Sequence, residues 1–115
     1  MINLKNLEAE KEIIGSIILE PDTLLKISDI IIPSDFYSQA HQIIYSTCLE
    51  LWADGTLDTI HLSQRLKEKG KLDKVGGSDY LVTLSINTIT TTNIKHHAEI
   101  IKKFSSLRKL YKLGN

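Results

Sequence analysis

The chain has 115 residues, 14 acids balanced by 14 bases, and one cysteine, which together bound it to a single domain without an internal disulfide framework. A domain of this length buries roughly 65% of the surface its unfolded chain exposes, enough for one core without staples. No apolar run is longer than that of Ile30-Ile31-Ile32, and Glu8, Glu10 and Glu12 follow the start of the chain, so neither a membrane span nor a secretory leader is expected, and the setting expected is reducing and cytoplasmic.

In chain order, Asn6 precedes Glu8 and Glu10, a cap followed by acids that suit the positive end of a helix dipole. Leu7, Ile13, Ile14, Ile17 and Ile18 then recur at helical spacing. This first helix is expected to end near Glu20-Pro21, since the residue before proline resists the α region. Gly15 inside it costs about 1 kcal/mol relative to alanine, which predicts close approach of another helix. A second helix is expected from Pro21 to Ile31, with Pro21 in its first turn. Pro33-Ser34-Asp35 reads as a turn and cap, and Phe36 and Tyr37 as core plugs on a short helical turn. Ile43, Ile44, Thr47, Cys48, Leu51 and Trp52 give a third helix from Gln39 to Ala53, closed by Asp54-Gly55. Asp58 or Thr59 caps a fourth, which carries Leu62 and Leu66 and ends at Gly70. Ser78 caps a short fifth with Tyr80, Leu81, Leu84 and Ile86. Val82–Ile86 also alternates over five residues and is the best strand candidate. After Thr90-Thr91-Thr92 a last helix begins near Asn93 and continues to Lys112, roughly 30 Å at 1.5 Å per residue. The class expected is all-α, a compact bundle of about six helices with a long C-terminal helix.

Charge is segregated along the chain. Residues 1–60 carry ten acids and three bases (net −7), and residues 61–115 carry eleven bases and four acids (net +7). Such asymmetry fits nucleic-acid contact through the last helix, with Lys102, Lys103, Arg108 and Lys109 as the candidate residues. It also fits a solvated helix face completed by the opposite end of a neighbouring chain, and a neutral domain lacks the overall basic character of a phosphate binder. That helix is apolar on two sides: Ile94, Ile101, Phe104 and Tyr111 form one stripe, and Ile100, Leu107 and Leu110 another. One stripe can serve its own bundle; the other is open to a partner chain or packs internally.

Signals for catalysis are absent. Gly70-Lys71 is the sole Gly-Lys pair, with Arg65 where a phosphate-binding loop needs glycine and Leu72 where it needs Ser or Thr. No two of His41, His61, His96 and His97 are spaced i, i+4, and His41 and Cys48 lie two turns apart, about 10 Å, too far to share a zinc. Cys48 sits on the apolar stripe and reads as core filler; Glu8, Glu10 and Glu12 read as a charged first turn, and His41 as a packed ring bonded to backbone. The fourth helix, the connector and the fifth helix resemble a helix-turn-helix, but the connector of about eight residues, Gly70–Gly77, exceeds the three or four of that motif. The helix that follows offers no Arg, Lys, Asn or Gln to base edges. No metal, cofactor or catalytic residue is expected in this chain.

Four segments in order carry a family resemblance. They are Asn6-Leu7-Glu8-Ala9-Glu10 with Ile14-Gly15; Pro33-Ser34-Asp35-Phe36-Tyr37 with His41; Leu66…Gly70-x-Leu72-Asp73-x-Val75-Gly76-Gly77-x-x-Tyr80-Leu81; and Thr92-Asn93-Ile94 continuing through Ala98, Ile100, Ile101 and Leu107-Arg108. Over nearly its whole length the chain resembles the N-terminal domain of replicative hexameric DNA helicases of the DnaB type. It departs from the pattern at Gly55-Thr56-Leu57-Asp58, a turn one residue shorter than is usual and without proline, and at His97, where tyrosine is common.

The resemblance implies a globular helical core over 1–92 and, over 93–115, the first arm of a dimerising helical hairpin. It implies a collar domain of the primosome, pairing with itself as a dimer within a hexamer and recruiting the primase C-terminal domain or a helicase loader. ATP and Mg would belong to a motor domain absent from this sequence, and single-stranded DNA would be met by the parent protein. The candidate partner surface is Ile94, Ile101, Phe104, Leu107, Leu110 and Tyr111. The structural signature is Glu10, Gly15, Asp35, Phe36, Tyr37, His41, Gly70, Gly76, Gly77, Tyr80 and Asn93.

Overall fold

The computed structural model describes residues 3–113. Six helices run in order among these residues: α1 (Leu7–Leu19), α2 (Leu24–Ile27), α3 (Gln39–Ala53), α4 (Thr59–Glu68), α5 (Gly77–Ile86) and α6 (Ile94–Leu113). Single 3-10 turns at Pro21–Thr23 and Pro33–Asp35 precede α2 and α3, and there is no strand among the described residues. Val82–Ile86 is therefore helix, with its alternation overridden by packing.

α1 is the central element and packs against α3, α5 and α6. Asn6 Oδ1 accepts from the Ala9 N–H at 3.0 Å and starts it. Ala9, Ile13, Ile14 and Ile17 are buried on it, meeting Ile44 and Cys48 of α3, Leu81 and Leu84 of α5, and Ile94, Ala98 and Ile101 of α6 in one core. Gly15 is where α5 comes closest. A Cβ there would lie 2.4 Å from the Leu84 carbonyl oxygen and 2.0 Å from Thr88 Oγ1, so the expected close approach is present and only hydrogen fits.

The expected second helix is shorter than its apolar pattern. After the 3-10 turn, α2 holds four residues, and the Ile30 and Ile31 amides both return to the Ile27 carbonyl at 2.8 and 3.1 Å. Pro33 holds Ile32 extended (φ −112°), and the Tyr45 hydroxyl donates to the Ile31 carbonyl at 3.0 Å. That peptide is thus satisfied without a helical partner. Burial pushes the Tyr45 phenol well above its ordinary value.

The joint between α4 and α5 is built as the sequence suggests, with one shift. Past Gly70 the Lys71 N–H closes on the Leu66 carbonyl at 2.8 Å and ends α4. α5 begins at Gly77 rather than after a Ser78 cap, with Gly76 (φ +115°) and Gly77 (φ +78°) in the left-handed region. A Cβ at Gly76 would stand 2.8 Å from that of Tyr80, so this corner needs glycine for conformation and for space. Val75 from the joint is buried in the core. Across α3 and α4, Lys69 reaches Glu50 and Thr47, and Arg65 reaches Asp54 at 3.0 Å.

Candidate functional site

The segment Ile32–Ser38 is a polar hub that ties three parts of the molecule together. On one side stands Glu10, which is only 2% exposed. It is not a solvated first-turn charge: its carboxylate accepts from the Tyr37 N–H at 2.7 Å, the Ser38 N–H at 3.2 Å and His41 Nδ1 at 2.7 Å. Nor is His41 bonded to backbone through its ring. Its Nε2 lies 2.7 Å from the Tyr80 hydroxyl, and the two rings stack at 6.0 Å between centroids. With a carboxylate opposite Nδ1, that nitrogen carries a proton, and the Tyr80 hydroxyl serves Nε2. Burial, with the Glu10 and Glu8 charges, pushes the Tyr80 phenol up, so at neutral pH it is a neutral hydrogen-bonding group. Glu10, His41 and Tyr80 thus join α1, α3 and α5.

On the other side stands Asp35, fully buried. Its carboxylate accepts from the Ile32 N–H at 2.9 Å, Ser105 Oγ at 2.7 Å and Lys102 Nζ at 3.3 Å. Burial raises its pKa, but the Ile32 and Ser105 hydrogen bonds and the Lys102 charge outweigh it and hold the group below the usual carboxylate range. Arg108 completes the clasp, donating to the backbone carbonyls of Asp35 and Leu4 at 2.7 Å each. Phe36 is buried and extended, not helical, and meets Tyr45 at 5.0 Å between ring centroids. Tyr37 is not a core plug: it is 48% exposed, with Lys5 Nζ 4.4 Å from its ring centroid.

These contacts redraw the surface of α6. Ile94 and Ile101, expected on the partner surface, are 2% and 3% exposed because α6 packs on α1 and α2. Phe104 and Leu107 are half-buried, and Leu110 and Tyr111 are exposed. Of the four expected nucleic-acid contacts, Lys102 and Arg108 are engaged within the domain, while Lys103 and Lys109 are exposed. Asn93 lies just before α6, and its carbonyl accepts from the His97 N–H at 3.0 Å. Gly114 and Asn115 lie outside the described residues.

Glu10, His41 and Asp35 are spent on hydrogen bonds within the domain. The Cys48 thiol is buried and pushed up to about 12 by burial alone, which removes the thiolate that nucleophilic chemistry needs. Among the described residues no group of three or more His, Cys, Asp or Glu side chains is placed to hold a metal ion. No helix among them is long and apolar enough to cross a membrane. The hub is instead a positioning device that sets the course of α6 on the core.

A helical fold of this pattern, with a long last helix, is shared with a helicase N-terminal domain. Residues 2–103 match the family model described as DnaB-like helicase N terminal domain, and the chain belongs to that family. It is 39% identical, over its full length, to the replicative DNA helicase DnaB of Buchnera aphidicola, and 36% identical over 92% of its length to the replicative DNA helicase DnaC of Bacillus subtilis. It spans about a quarter of each of those relatives, 25% and 24%. In fold it is similar to the crystal structure of the N-terminal domain of DnaB helicase from Mycobacterium tuberculosis, with a TM-score of 0.91 and 32% identity, covering 96% of this chain and 80% of that one. A DnaB-like replicative helicase whose structure was solved to describe its interactions with primase is also similar. There the TM-score is 0.83 with 29% identity, over 95% of this chain and 26% of that one.

Proposed function

We propose that this chain is the collar domain of a replicative DNA helicase, associating with itself as a dimer within a hexamer and recruiting primase or a helicase loader. The observation that carries the reading is the shape of α6. Its first half is locked into the core through Ile94, Ala98 and Ile101, while Leu110 and Tyr111 in its second half are 64% and 57% exposed. Two such apolar groups on a helix whose base is fixed suit a protein partner better than solvent. The whole protein is proposed to unwind DNA with ATP and Mg in a motor domain that this sequence does not include. A Walker A motif downstream of Asn115 in the coding sequence supports that parentage; an unrelated downstream sequence removes it.

Sedimentation of the chain, alone and with a cognate primase C-terminal domain, tests the collar reading. Self-association, or a shift with primase, supports it. A strict monomer that never shifts with primase overturns it. Direct contact with single-stranded DNA has less support, because Lys102 and Arg108 are already engaged.

A further inference from the structure

One end of the molecule carries a groove of about 710 Å³ between the first described residues and the last turns of α6. Two tyrosines, Tyr37 and Tyr111, line it together with three cations, Lys5, Arg108 and Lys112, and among the described residues no carboxylate does. None of the three cations forms an ion pair among the described residues. Arg108 gives its two hydrogen bonds to carbonyls, which are neutral acceptors and not carboxylates. Lys5 sits over the Tyr37 ring at 4.4 Å, and the Arg108 Cζ lies 5.6 Å from the same centroid. A ring covered by cations does not offer the bare face on which a nucleobase stacks. The volume is that of a cleft for a short segment, whereas a globular partner needs about 800 Å² of surface per side.

We infer that this groove docks an acidic peptide segment bearing an apolar side chain. Its carboxylates compensate Lys5, Arg108 and Lys112, and its apolar group lies against Leu4 and Tyr111 of the same groove. The inference rests on the collar reading only in its coarse form, that the domain binds other proteins. It concerns residues of α6, Arg108, Tyr111 and Lys112, that lie beyond the 2–103 segment matched by the family model.

Fluorescence anisotropy of the full chain with the labelled peptide Glu-Asp-Leu-Phe-Glu-Asp tests it. The comparison probes are the amide counterpart Gln-Asn-Leu-Phe-Gln-Asn and a short oligothymidylate. The expected result is salt-sensitive binding of the acidic peptide, weakened by about tenfold or more in the amide counterpart and in a Lys5→Glu, Lys112→Glu double variant. A Lys26→Glu, Lys74→Glu double variant, altered at two exposed lysines outside the groove, is expected to bind as the parent does. Circular dichroism melts establish that both variants are folded. Absence of peptide binding at low salt, equal binding of the amide peptide, or equal loss in both double variants overturns the inference. Tighter binding of oligothymidylate with the same variant sensitivity assigns the groove to nucleic acid and overturns it too. So does dimerisation abolished by the Lys5 and Lys112 changes without any peptide binding. Failure here with an intact primase-dependent sedimentation shift leaves the collar reading standing, and peptide binding by a monomer blind to primase does the reverse.

Discussion

Glu10 and His41 meet at 2.7 Å inside the domain, each no more than 2% exposed. The pair bridges α1 to α3, and His41 passes the connection on to Tyr80 of α5. Removing a charged acceptor from a buried, fully used site costs about 3 kcal/mol. Glu10→Gln is expected to lose that much in urea unfolding. Tyr80→Phe, which deletes one hydrogen bond at a half-buried position, is expected to lose about 1 kcal/mol. Because both act through one imidazole, their double-mutant cycle should show a coupling above about 0.5 kcal/mol. Additive losses contradict the relay.

Asp35 makes the domain acid-sensitive with a defined sign. Its folded pKa lies below the ordinary value of 3.8. Its contribution is therefore fully present above that value and is lost as pH falls through the folded pKa. Stability is expected to drop below about pH 4, and Asp35→Asn is expected to flatten that limb while lowering stability at neutral pH by about 2–3 kcal/mol. Denaturant midpoints measured across the acid range check both. An unchanged acid limb in the variant refutes the assignment.

Gly15→Ala is expected to destabilise, although alanine favours a helix interior by about 1 kcal/mol. The added methyl meets the Leu84 carbonyl, a backbone atom that cannot rotate away. Overpacking of this kind costs about 1–3 kcal/mol, so the net change is a loss of about 1–2 kcal/mol. Thermal denaturation suffices to test it, and a rise in Tm contradicts the close approach of α5.

Cys48 is expected to resist thiol reagents in the native state, because burial lifts its pKa to about 12 and encloses the sulfur. Labelling should follow unfolding and accelerate with urea in step with the global transition. Rapid labelling of the folded protein would place Cys48 outside the core.

Much of the fold is legible in local sequence because its devices are local. Asn6 caps α1, Gly15 marks a contact, and Gly70 with Gly76-Gly77 frames the α4–α5 joint, each through atoms a few residues away or through an absent Cβ. The hub is different. Glu10 finds its partners 27 to 31 residues downstream, and Arg108 reaches back 104 residues to Leu4, distances at which periodicity carries no information. One signal was nonetheless present: Glu10 stands three, four and seven residues before Ile13, Ile14 and Ile17, on the buried stripe itself. The two stripes of α6 misled for a related reason. Helical spacing groups Ile94 and Ile101 with Tyr111, but only tertiary packing decides where along a helix the cover ends.

The central place of α1 has a consequence for how the domain is made. Synthesis runs from the N-terminus, so α1 leaves the ribosome before the α5 and α6 segments on which its apolar faces pack. Until those late segments emerge, Ile13, Ile14 and Ile17 lack most of their final neighbours, and Glu10 lacks Tyr80 at the far end of its relay. Contacts between distant parts of a chain form late and slowly. The core around α1 is therefore complete only once α6 has been made.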